Sequence, residues 1–178
     1  MELRDKYRKY VARVEKRHRY DRGNSYMRDS DLTKTYRGEW ALWNEFTFET
    51  MSNEDAEKFV ERVHKSKFWG SLRPVTIEWM KDMGDHGRTT GVSYGQLIKL
   101  APRTNKYVIL HEMVHSMGYM NHGLYFRLQL VKACSRFLGR DVAKRLKELF
   151  REQGLRMNKP RPPLSYDKWV EKYEQYVN

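Results

Sequence analysis

Residues 111 to 123, HEMVHSMGYMNHG, gather three of the chain's six histidines and one glutamate into one short stretch. His111 and His115 are four apart, so on a helix they share a face and their ring nitrogens can converge on one cation. Neutral imidazole nitrogens suit zinc, which they hold at about 2.0 to 2.1 Å. Glu112 stands about 100° round the helix from His111, placed to reach a water at the metal rather than the metal itself. Zinc lowers the pKa of such a water towards about 7 and polarises a carbonyl under attack, while the glutamate takes the proton. HExxH therefore reads as a hydrolytic site that still needs a third ligand, with one metal position left open.

A straight helix cannot bring residue 122 back over the face of His111 and His115. Gly118 is a helix stop, and Asn121 is suited to cap a new helix. His122 then falls in the first turn of that helix and faces the metal. Two other sources of a third ligand compete: His86, from the glycine-containing stretch MKDMGDHGRTTG, and a downstream Asp or Glu. His18 and His64 have no such setting and are expected at the surface. The metzincin pattern HExxHxxGxxH accommodates Gly118 but puts its last histidine where this chain has Asn121, and Met157 is the nearest candidate for a Met-turn.

The elements around the motif follow from periodicity and punctuation. From Thr104 apolar residues recur at helical spacing, so the motif sits on a helix, and LYFRLQLVKACSRFL up to Gly139 forms the next. Phe126, one turn beyond His122, is expected to pack under the site. Asp141 is read as the cap of a helix ending at Gly154, and Ser165 as the cap of a final one after the stiff KPRPP linker. Upstream, residues 3–20 read as a basic amphipathic helix and 21–38 as a polar loop. EWALWNEFTFET yields a strand over 43–49, Ser52 caps a helix over 53–66, and PVTIEW and GVSYGQLIKLA are two further strands. Tyr94 or Tyr119 is a candidate hydrogen-bond donor to the oxyanion, against a packing role for each.

A chain of 178 residues with 39% hydrophobic content is long enough for one domain with a real core. The expected division is a basic helical arm and loop over 1–38, a metallohydrolase domain over 39–157, and a linker with a C-terminal helix over 158–178. The formal net charge of +12 makes nucleic acid or another acidic partner plausible on electrostatics. One cysteine, Cys134, excludes an internal disulfide and suits a reducing compartment. No apolar leader and no run approaching about 18 apolar residues is present, so a cytoplasmic location without a membrane span is expected.

HEMVH followed by HGLYF resembles the SprT-like zincin peptidases, whose pattern is HExxH, a variable spacer and HGxxF. The flanking order FVERVHKSKFW, RPVTIEW, GQLIKLAP, HExxH helix, FLGRDVAKRLKELFREQGL is similar to a group of short actinobacterial and phage metallohydrolases, over roughly residues 55 to 156. The resemblance implies an α+β fold, a minimal zincin-like domain with a small mixed sheet beside the HExxH helix. It implies Zn2+ on His111, His115 and His122, with Glu112 as general base and a protein or peptide as substrate. GQLIKLA would be the edge strand on which an extended peptide aligns. The chain departs from larger SprT relatives in its six-residue spacer and in lacking a CxxC zinc ribbon. Two functions remain in view: a zinc metallopeptidase, and a basic nucleic-acid-binding protein with a structural or vestigial zinc site.

Overall fold

A computed structural model describes residues 3–22, 28–81, 91–159 and 161–177. Its described elements are seven helices and three short strands, an α+β architecture: α1 (Leu3–Asp21), α2 (Leu32–Glu45), α3 (Asn53–His64), β1 (Thr76–Trp79), β2 (Gly91–Tyr94), β3 (Leu97–Leu100), α4 (Lys106–Ser116), α5 (Leu124–Phe137), α6 (Arg140–Glu152) and α7 (Tyr166–Val177). No described helix is long and apolar enough to cross a membrane.

The helix carrying HExxH is the centre of the molecule. Asn105 caps it, its side chain accepting from Val108 N at 3.0 Å, which satisfies a donor that the first turn leaves without a helical partner. Tyr107 to Val114 are all buried, so α4 is covered on every side rather than along one stripe. It ends where Gly118 takes a φ of +100°, a conformation open to glycine without steric cost.

The sheet order is β1-β3-β2, with β1 parallel and β2 antiparallel to β3. GVSYGQLIKLA is thus a hairpin, not a single strand. GQLIKLA supplies the central strand β3, and the edge strand packed beside α4 is β2. The glycine-containing loop after PVTIEW falls largely on residues 82–90, outside those described.

Two upstream expectations fail. Residues 32–38, read as loop, and the first part of the expected strand over 43–49 belong to α2, so residue 38 lies inside a helix. Extended backbone begins only at Phe46, and its sole bridge among the described residues is Thr50 to Asn105. Ser52 does cap α3, accepting from Asp55 N at 3.1 Å. The cap of α6 is Gly139 rather than Asp141, which lies in the first turn. Met157 is buried core, and so is Cys134.

The two ends of the chain meet. Tyr7 and Tyr10 of α1 pack on Trp169 of α7, with ring centroids 5.5 and 6.1 Å apart, and Tyr7 OH donates to the Leu164 carbonyl at 2.9 Å. The other end of α1 runs to the histidine motif.

Candidate metal centre

The three histidines of the motif come together. His111 Nε2 lies 3.2 Å from His115 Nε2 and 3.3 Å from His122 Nε2. Two nitrogens each about 2.05 Å from a tetrahedral ion stand about 3.3 Å apart. The spacing fits.

Each ring is oriented from behind. His111 Nδ1 is 2.9 Å from Glu39 Oε1, His122 Nδ1 is 2.6 Å from Asp29 Oδ2, and His115 Nδ1 is 2.6 Å from the Tyr119 carbonyl. An acceptor at every Nδ1 fixes the proton there, leaving three Nε2 lone pairs turned on one another. Without a cation such an arrangement is repulsive, whereas with one it is the pattern of a metal held by imidazoles whose outer nitrogens are hydrogen-bonded. Burial disfavours a charge on His111 but Glu39 favours it, and the balance pushes its pKa up to about 9. Burial and the neighbouring imidazoles push His115 down to about 2. A positive charge, carried by a proton or a metal ion, is therefore favoured at His111, while His115 stays neutral.

His122 is placed differently from expectation. It lies one residue before Gly123, the N-cap of α5, and not within the helix's first turn. Asn121 shapes the approach by accepting from Gly123 N at 3.0 Å. The cap of α5 comes from far upstream: Asp21, at the end of α1, accepts from Leu124 N at 3.3 Å, a carboxylate at the positive end of the helix. Behind His122, the fully buried Arg127 donates to the His122 carbonyl at 2.5 Å and to Asp31 Oδ2 at 2.8 Å, and Arg17 donates to the same Asp31 oxygen at 2.6 Å.

Glu112 is buried beside the cluster, and no described residue hydrogen-bonds its carboxylate. Its seat depends on the edge strand. A Cβ at Gly91 would stand 2.7 Å from Glu112 Cγ, so only glycine leaves that room. Burial pushes the Glu112 pKa up to about 6.

Phe126 packs under all three imidazoles, with centroids 5.0, 4.3 and 4.7 Å from His111, His115 and His122. Tyr94 does not reach the site. Gly91 and Ser93 face α4, Ser93 Oγ lying 2.9 Å from Ser116 Oγ, and strand alternation sends Tyr94 to the opposite face, 62% exposed. Tyr119 contributes its carbonyl, and its half-buried ring packs against the core. His64 is not a free surface residue: its Nε2 accepts from Val75 N at 3.2 Å and its ring lies on Trp69. His18 sits in the last turn of α1, outside the cluster, and His86 falls outside the described residues.

Comparison with family models, with curated proteins and with solved structures gave no match. The geometry must carry the reading.

Sequence reasoning missed Asp29, Glu39 and Tyr36. Tyr36 lies edge-on to His122 at 5.1 Å and nearly parallel to His111 at 6.1 Å, and Glu39 also accepts from Tyr107 OH at 2.9 Å. The one signal for Glu39 was its place four residues after Thr35 and three before Leu42, the buried positions of α2.

Proposed function

We propose that this chain is a zinc-dependent metallohydrolase, a metallopeptidase of the SprT-like zincin kind. His111, His115 and His122 hold the ion, and Glu112 is the general base. The observation that carries this reading is the acceptor at every Nδ1, which turns three Nε2 atoms to one point beside a carboxylate without a hydrogen-bond partner among the described residues.

Zinc, when bound, supplies Lewis acidity that polarises the carbonyl under attack and makes water acidic enough to lose a proton near neutral pH. Glu112 takes that proton and returns it to the leaving amine. Gly91 keeps Glu112 seated, and Phe126 keeps water from beneath the rings. Glu39 and Asp29 hold the imidazoles in the tautomer that presents Nε2. The outer edge of β2, which pairs only with β3 among the described strands, offers main-chain groups to an extended peptide. The expected setting is the cytoplasm.

The test is metal analysis with a peptidase assay. The full chain holds one zinc, His122→Ala loses it, and Glu112→Ala keeps it but cleaves nothing. A chain purified without zinc, or a Glu112→Ala variant with intact turnover, sinks the reading. The net charge of +12 supports one other, a nucleic-acid-binding protein with a structural zinc. That reading expects salt-sensitive binding to DNA or RNA which survives Glu112→Ala.

A further inference from the structure

Helix α2 has two faces of opposite character to the usual ones. Its buried side is Thr35, Gly38, Glu39 and Leu42, mostly polar or small. Leu32, Tyr36, Trp40 and Trp43 follow one another at intervals of four, four and three, so they line one side of the helix, and there Leu32 is 37%, Trp40 63% and Trp43 39% exposed. A lone exposed apolar residue is ordinary, but three large ones in a row with the half-buried Tyr36 between them form a patch of the kind that takes a partner.

The row is continuous with the metal centre. Trp40 stacks on Tyr36 with centroids 6.3 Å apart and planes at 19°, and Tyr36 in turn lies against His111 and His122. These ring contacts place Tyr36 between the exposed Trp40 and the histidines. Across α4 from this row stands the edge strand β2, against Glu112.

We propose that the face Leu32–Tyr36–Trp40–Trp43 is the substrate strip of the metal centre, and that it takes an extended peptide segment bearing aromatic or large aliphatic side chains at alternate positions. The proposal rests on the hydrolase reading above. From Leu32 to Trp43 the helix rises about 16 Å, the span of about five extended residues. Same-side side chains of an extended chain recur at about 6.7 Å, close to the 6.3 Å between the Tyr36 and Trp40 rings. Lys34 and Arg37 are exposed on the flanks of the row, so a segment without positive charge fits it.

The test uses the full chain as Glu112→Gln, loaded with zinc, so that binding is read without turnover. Three fluorescein-labelled probes are compared by anisotropy: an octapeptide of alternating Phe and Glu, its counterpart with Ser for Phe, and octathymidylate. The Phe peptide binds at least about tenfold more tightly than the Ser peptide, and Trp40→Ala removes most of that difference. Zinc content and helical circular dichroism stay unchanged in Trp40→Ala. Equal affinity for the two peptides, indifference to Trp40→Ala, or tighter binding of octathymidylate overturns the proposal. Absence of peptide cleavage by the wild type sinks the hydrolase reading alone, since this binding result does not depend on turnover.

Discussion

Asp29 and His122 are joined twice: the Asp29 Oδ2 atom lies 2.6 Å from His122 Nδ1 and accepts from the His122 backbone N at 2.9 Å. Tyr20 OH holds the other Asp29 oxygen at 2.6 Å. One carboxylate therefore fixes both the position of the backbone before α5 and the orientation of the imidazole. Loss of such an outer partner costs about 10- to 100-fold in metal affinity. Asp29→Ala is expected to weaken zinc binding by that factor in a titration against a chromogenic chelator. Glu39→Ala acts in the same direction through His111, with a further loss of stability because Tyr107 OH is left buried without its acceptor.

Chelation is expected to destabilise the protein. A ligand bound only by the folded state at 100 times its Kd stabilises it by about 2.7 kcal/mol. For a chain of this size each kcal/mol shifts Tm by about 2 to 4 °C. A drop of about 5 to 11 °C on adding a chelator, reversed by zinc, is the expected result by differential scanning fluorimetry. An unchanged Tm in protein shown to have released its metal would count against an ion bound in the folded state.

How much of this was legible in the sequence depended on where apolar side chains went. Helix α4 could be read because its apolar run and its glycine stop agree with one another; its cap, Asn105, emerged only in the structure. Helix α2 could not, because its buried side carries Thr35, Gly38 and Glu39 while its tryptophans face outward. A search for apolar periodicity therefore finds a polar loop followed by an aromatic strand. Asp29 was hidden for another reason: its contact with His122 spans 93 residues, and nothing local marks it. The histidine cluster was legible because two of its members are one turn apart, and the third lies just past a glycine break.

Gly91→Ala separates metal binding from catalysis. The added methyl would stand 2.7 Å from Glu112 Cγ and 3.0 Å from Val108 Cγ1, so the glutamate must move or the edge strand must give way. Overpacking of this kind costs about 1 to 3 kcal/mol. Zinc content should stay near that of the wild type while peptidase turnover falls at least about tenfold, as a misplaced base loses its reach. A variant with full turnover would show that Glu112 does not depend on this close approach.

Acid should loosen the network behind His122. Burial opposes charge on Asp31, but hydrogen bonds and charge from Arg17 and Arg127 hold its pKa below the usual value. A carboxylate depressed in the folded state contributes stability that is fully present above its unfolded pKa, about 3.9, and is lost as pH falls through the folded value. Urea unfolding from pH 7 down to 3 should show the wild type losing stability at the acid end, with a flatter dependence in Asp31→Asn. Asp31→Ala leaves the Arg127 guanidinium buried without its carboxylate and should cost about 3 to 5 kcal/mol at pH 7.

The two ends of the chain should differ in what they contribute, although both read as helical extensions. The segment before α2 supplies Asp21 to the N-terminus of α5, Asp29 to His122, and Arg17 to the Asp31 that holds Arg127. Among the described residues, helix α7 shows no contact with these groups; it packs its Trp169 on Tyr7 and Tyr10 at the far end of α1. A chain beginning at residue 32 should therefore lose high-affinity zinc binding even where it stays soluble. One ending at residue 157 should keep a full equivalent of zinc and give up α7's packing and the Leu164 hydrogen bonds to Tyr7 and Tyr10, with each aromatic pair contributing about 0.5 to 1.5 kcal/mol. Zinc stoichiometry and Tm of the two truncated chains measure this directly. Retention of tight zinc by the chain lacking residues 1–31 would mean that the histidines orient themselves without Asp29, and that the first helix is an appendage rather than a wall of the site.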